Sequence, residues 1–262
     1  TPETVTEKLN GIKDTLCNRS GAMVVYAGEE DSIKANSEYA EAMFEDIPEK
    51  PRQEHDYSVL MTDKLNRAMP TGLGINFNGI YAPLDVLGID YTMKSEVILN
   101  LVSDRYALPG LRNKYNVYGF SYTSDPNGIY MCSYRDPNVK ETIDFYKGLG
   151  DSMRNDNITQ DDIDRYILNT YSSFTMPRGE LHDAYWAAAD YTNGTTSEVK
   201  ASMMHDMKSV TTDDIMTYAD VFDNLYENGS IYTAGSRELI ESSAELYDEI
   251  VEPFDDIIIV MD

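Results

Sequence analysis

Val5, Leu9, Ile12 and Leu16 share one stripe of the opening TPETVTEKLNGIKDTL, and this spacing predicts an amphipathic helix. The run GAMVVYAGE is apolar and bounded by glycines, which predicts a buried strand over 22–27. Helical spacing returns over 31–44 through Ile33, Tyr39, Ala42 and Phe44, and Pro48 and Pro51 mark a loop. Strand formers interrupted by Gly72, Gly74 and Gly79 follow over 57–84, with Ile75, Phe77 and Gly79 placed on one face. From 92 to 111 the pattern is helical again, with Val97, Leu101, Tyr106 and Leu108 facing a core and a kink at Pro109-Gly110.

The stretch NVYGFSYT alternates, which puts Tyr118, Phe120 and Tyr122 on one side of a strand. Asp125-Pro126-Asn127-Gly128 is a turn signal and GIYMCSYR resumes as a strand, so the pair reads as an antiparallel hairpin. Helices are predicted over 138–153, where Asn-Val-Lys-Glu resembles a capping box, and from Thr159. Three more should span 178–192, 197–207 and 211–226, the last opened by Thr-Thr-Asp-Asp. SIYTAGS then predicts a strand, and 236–251 a final helix.

Strands set among long helical excursions, with one clear hairpin, predict an α+β fold: a mixed, mainly antiparallel sheet covered by helices. The length of 262 residues supports one substantial core, so residues 1–254 are expected to form a single domain and 255–262 an acidic and apolar tail. Residues 1–20 are expected to serve as a linker helix to an upstream domain, because the chain starts at Thr1 without an initiator Met. The 46 acidic against 21 basic residues, a net charge of -25, disfavour nucleic acid and anionic membrane as partners. With two cysteines and no long apolar span, the expectation is a soluble, cytoplasmic protein.

Self-contained catalysis finds no support in the motifs. His55, His182 and His205 lie in HDY, HDA and HDM, with neither HExxH nor its inverse, so no metal site is expected within this chain. YAGEED lacks the lysine and glycines of a phosphate loop, and no GxSxG elbow occurs. Cys132, inside IYMCSYR, reads as a buried thiol.

Positive chemistry concentrates in Leu111-Arg112-Asn113-Lys114-Tyr115-Asn116-Val117-Tyr118-Gly119. If the connection folds back, Arg112 supplies a fork of donors and Tyr118 a hydroxyl to one peptide carbonyl, although an arginine ending a helix also serves as a cap. Together with Ser133-Tyr134-Arg135-Asp136-Pro137, the order of these segments resembles the C-terminal half of the insulinase and pitrilysin zinc metallopeptidase superfamily, in its presequence-protease-like branch.

That resemblance implies one domain of a peptidase whose halves close around a chamber. Zinc and its ligands would lie in an N-terminal domain outside this chain, and Arg112 and Tyr118 would reach the peptide substrate from the opposite wall. The partners implied are upstream domains of the same polypeptide or a catalytic partner subunit; the alternative is an inactive peptide-binding or structural homologue. The family pattern has two glycines where this chain has Tyr115 and Asn116, so Asn116 is expected to take the unusual dihedral. Within 133–137, Arg135 and Asp136 are expected to brace the hairpin against the next helix, with Asp136 capping it and Pro137 entering it.

Overall fold

A computed structural model describes residues 1–51, 64–177 and 179–252. Where the sequence reading takes 1–254 as one domain, the chain clusters into two compact units, one of residues 1–61 and 176–199 and the other of 62–175 and 200–262. His55, Arg178 and the 255–262 tail lie outside the described residues.

The smaller unit holds α1 (Pro2–Leu16), α2 (Glu30–Phe44) and α8 (Glu180–Asn193), none of which has a buried residue. Thr1 caps α1 by accepting from the Thr4 N–H at 3.4 Å. The expected strand over 22–27 is absent: those residues are exposed and form no ladder. A strand-forming composition needs a neighbour to pair with before it becomes a strand.

In the larger unit, β1 (Arg67–Thr71), β2 (Asn76–Pro83), β3 (Gly119–Asp125), β4 (Gly128–Asp136), β5 (Ser230–Ser236) and β6 (Glu249–Ile250) form one sheet in the order β3-β4-β2-β5-β1-β6. β3-β4, β4-β2 and β2-β5 pair antiparallel, whereas β5-β1 and β1-β6 pair parallel. This is the mixed, mainly antiparallel sheet expected. The hairpin closes tightly, with Asp125 opposite Gly128 and the Asp125 carboxylate accepting from the Asn127 and Gly128 N–H groups at 2.7 and 3.3 Å.

Period-two alternation sends Ile80, Met131 and Ile231 to one face, all buried, where the helices pack. α3 (Leu84–Leu87), α5 (Lys140–Lys147), α6 (Leu149–Arg154) and β2 all contact α10 (Thr212–Asn228); α4 (Lys94–Val102) packs on α7 (Gln160–Thr175) and β3. Tyr146, Phe222, Leu99 and Leu149 fill this core, each worth about 1.5–3 kcal/mol if fully removed from water. α9 (Ser197–Lys208) adds Met207. α10 starts at the expected Thr-Thr-Asp-Asp, which forms a capping box in which Thr211 N–H and Oγ1 both bond the Asp214 carboxylate. No helix among the described residues is long and apolar enough to cross a membrane.

Three helical expectations change. The 92–111 helix runs as α4 to Val102 and then widens into a π-helical segment, Ser103–Asn113, that accommodates Pro109. The wider turn brings Ala107 and Leu111 inward and leaves Leu108 43% exposed, so the predicted stripe is displaced. The 138–153 helix breaks at Gly148, and Asn138 does not cap it. The 236–251 helix stops after α11 (Arg237–Glu241): Ser242 Oγ bonds back to the Leu239 carbonyl, and a 3₁₀ turn at Ala244–Leu246 leads into β6.

Candidate functional site

Leu111 lies in the last turn of the π-helical segment, and its carbonyl accepts from two amides, the Lys114 N–H and, at 3.2 Å, the Val117 N–H. That second bond closes the connection on itself. Arg112 and Tyr118 therefore lie one residue beyond each member of a bonded pair. The turn depends on Asn116, whose φ is +59°, and the Asn138 side chain pins its near side by donating to the Tyr115 carbonyl at 2.8 Å. Asparagine is one of the few residues that enter left-handed space at low cost, which lets the turn close here.

Arg112 is exposed and lines a cleft of about 140 Å³ between the π-helical segment and the start of β3, with Leu108, Leu111, Val117 and Phe120 among its walls. No side-chain hydrogen bond or ion pair holds its guanidinium among the described residues. Tyr118 does not share a face with Phe120 and Tyr122, contrary to the simple alternation. It precedes the ladder, is 55% exposed, and meets Tyr134 edge-on at 5.3 Å between ring centroids. Phe120 and Tyr122 pack on the core side instead.

Tyr134 lies across Gly119, its cross-strand partner. A Cβ at position 119 would fall 2.1 Å from Tyr134 Cε1, so only glycine lets the ring lie there. Phe77 stacks on the same ring at 6.5 Å. The face of the sheet opposite the helical core thus carries a run of aromatics, with Phe77, Tyr130, Tyr134 and Tyr232 each 37–41% exposed.

The Ser133–Pro137 segment owes its geometry to a β-bulge. Asn78 pairs with Ser133 but Asn76 with Asp136, so β4 carries one residue more than β2, and Arg135 takes φ +49°. Strict alternation would send Arg135 inward and Asp136 outward. The bulge exposes both Tyr134 and Arg135 and buries Asp136 completely.

Asp136 Oδ2 accepts from Asn78 Nδ2 at 2.9 Å, Ser133 Oγ at 2.6 Å and Thr142 Oγ1 at 2.6 Å. Its Oδ1 accepts from the Asn138 backbone at 2.8 Å and side chain at 3.0 Å. Asp136 thereby joins the hairpin to α5, although it sits before the first turn rather than on the helix as its cap; Pro137 also precedes the helix, which starts at Lys140. Arg135 does not take part in this bracing. Its guanidinium carbon sits 5.4 Å from the centroid of the Tyr118 ring.

Asn76 and Asn78, missed in the sequence, complete the buried network. Asn76 donates to the Asp136 and Asn138 carbonyls at 3.0 and 3.2 Å, and Asn78 accepts from Thr233 Oγ1 at 3.0 Å. Tyr146 donates to the Asn78 carbonyl at 2.9 Å. Two asparagines alternating within an otherwise apolar strand were the available signal. No buried side-chain nitrogen or oxygen among the described residues lacks a partner.

Cys132 is buried, and burial pushes its thiol pKa up, away from nucleophilic chemistry. No group of three His, Cys, Asp or Glu side chains suited to a metal ion occurs among the described residues. The donors among the described residues do not suit zinc.

The family model of the PreP C-terminal domain matches residues 79–234, a span that includes Arg112, Tyr118 and the bulged segment Ser133–Asp136 of β4. The chain belongs to the PreP C-terminal domain family. It is 24% identical over 250 residues to presequence protease 1, chloroplastic/mitochondrial, of Arabidopsis thaliana, covering 92% of this chain and 22% of that one. Protein HypA of Clostridium perfringens is 20% identical over 248 residues, covering 94% of this chain and 25% of that one. The PreP-like chain thus spans about a quarter of the length of these curated relatives.

Among solved structures, pitrilysin superposes with a TM-score of 0.57 at 10% identity, covering 78% of this chain and 23% of that one. A protease from Helicobacter pylori gives 0.53 at 12% identity, covering 79% and 53%. These likenesses carry the fold alone, and they agree with the α+β sheet-and-helix architecture.

Proposed function

We propose that this chain is the substrate-contacting C-terminal domain of a zinc-dependent peptidase, with Arg112 and Tyr118 as the residues that meet the peptide. The reading rests above all on one observation: the closed Leu111–Val117 turn carries at one end an exposed arginine with no ion pair among the described residues and at the other an exposed tyrosine, within the span that the family model matches. On this reading the Arg112 fork donates to a peptide carbonyl and the Tyr118 hydroxyl donates to the oxygen on which charge develops during hydrolysis. Zinc would be held by residues outside this chain, in an upstream domain or a partner subunit, within a chamber that closes on the peptide.

A labelled peptide titrated into the full-length protein tests the contact. Fluorescence anisotropy should report about tenfold weaker binding for Arg112→Gln, the loss expected for a charge-assisted hydrogen bond. Wild-type affinity in that variant would count against the contact. It would favour the alternative, a homologue whose role in the assembly is structural.

A further inference from the structure

Arg135 occupies a place that only the bulge explains. Its left-handed backbone turns its side chain out beside Tyr134, where the guanidinium lies over the Tyr118 ring. It forms no ion pair among the described residues, although the chain holds 46 acidic side chains against 21 basic ones. Among the described residues, the middle strands of the surrounding sheet face carry no acid. On that face, the ladder positions of β2, β4 and β5 are aromatic or small, and its carboxylates stand at its borders. Glu249 lies at the far edge, paired with Arg67 at 2.8 Å, and Asp125 lies at the hairpin end of β3, about 20 Å from Gly119 at 3.4 Å per residue.

A guanidinium with no ion pair among the described residues of so acidic a protein, held against the Tyr118 ring that itself meets Tyr134, has the chemistry of an anion-binding residue with an apolar neighbour. Stacking on Tyr118 limits the orientations of the fork and leaves its edge donors free for the two oxygens of a carboxylate.

We propose that Arg135 binds a carboxylate of the peptide substrate, while Tyr118, Tyr134 and Phe77 receive the adjacent apolar side chain. This rests on the reading of the chain as a peptide-contacting domain and adds a preference that Arg112 alone does not supply. Asp136 is then a positioning residue, because its buried hydrogen bonds hold the bulge that presents Arg135.

The test uses the full-length protein and three fluorescein-labelled peptides: one ending in Leu-Phe with a free carboxylate and containing one glutamate, the same peptide amidated, and the same peptide with glutamine for glutamate. Wild type should bind the first about tenfold more tightly than one of the neutralised forms. Loss with the amide assigns the C-terminal carboxylate, and loss with glutamine assigns the side chain. Arg135→Gln should bind all three peptides alike, and Arg135→Lys should keep part of the preference. Arg135→Gly relieves the left-handed backbone and keeps the fold, so it should also abolish the preference without a folding defect.

Equal affinity of wild type for all three peptides would overturn the proposal, as would a preference that survives Arg135→Gln. If Arg112→Gln weakens binding of every peptide while no carboxylate preference exists, the peptide-contact reading stands and this inference falls. The reverse pattern removes the Arg112 contact and keeps the carboxylate site.

Discussion

Replacing Asp136 with alanine removes the acceptor at the centre of the bulge and leaves the donors of Asn78, Ser133, Asn138 and Thr142 facing a void. Each buried donor left unmet costs about 1–3 kcal/mol, and the pair on Asn138 can turn partly toward other acceptors. The loss should therefore be about 3–5 kcal/mol, comparable to breaking a buried charged pair. For a unit of this size that lowers Tm by about 6–20 °C. Asp136→Asn keeps the shape and one acceptor oxygen, and should cost about half as much. Far-UV circular dichroism in urea is the suitable readout, supported by amide exchange along Cys132–Asp136 and at Ile143. A loss below 1 kcal/mol for the alanine variant, with exchange at these amides unchanged, would refute the view that the carboxylate holds the bulge.

Asn116 in left-handed conformation should accept glycine within about 0.5 kcal/mol, whereas Asn116→Val should cost about 1–2 kcal/mol because a branched Cβ crowds that region; urea midpoints decide between them. Burial holds the Glu96 carboxyl above the usual carboxylate range, with the Ser124 N–H offsetting this only in part. The folded state then keeps a proton that the unfolded chain has released, so stability falls as pH rises from the unfolded carboxylate value through the raised folded one. Glu96→Gln should flatten that decline and be the more stable protein at neutral pH, read as the urea midpoint against pH.

The parts of this fold legible in the sequence are those whose signal is local. Asp125-Pro126-Asn127-Gly128 fixes the hairpin because proline and the aspartate side chain turn the backbone by themselves, and Thr211 with Asp214 fixes the start of α10 in the same way. What was misread depends on partners remote in sequence. Residues 22–27 have the composition of a strand and no ladder partner among the described residues, whereas the Glu249 N–H finds the Asn66 carbonyl at 3.2 Å and becomes sheet instead of helix. The π-helical widening from Ser103 changes which residues face inward without altering composition, so a search for period 3.6 passes over it.

The candidate site divides along the same line. Arg112, Tyr118 and the left-handed Asn116 could be named from their order in the chain. The separation of Arg135 from Asp136 could not, because a bulge is a register shift between two strands, and only the pairing of Asn76 and Asn78 with β4 reveals it.

The measurement that tests the central claim most directly is peptide turnover by the full-length protein carrying Arg112→Lys or Tyr118→Phe, with folding and metal content verified as unchanged. If these side chains meet the peptide and support the charge that develops on it, kcat/KM should fall by about 10²–10³ for Tyr118→Phe, the range for removing one such donor, and by at least tenfold for Arg112→Lys, which keeps the charge and loses the fork. Unchanged kcat/KM in both variants across several peptides would contradict the account.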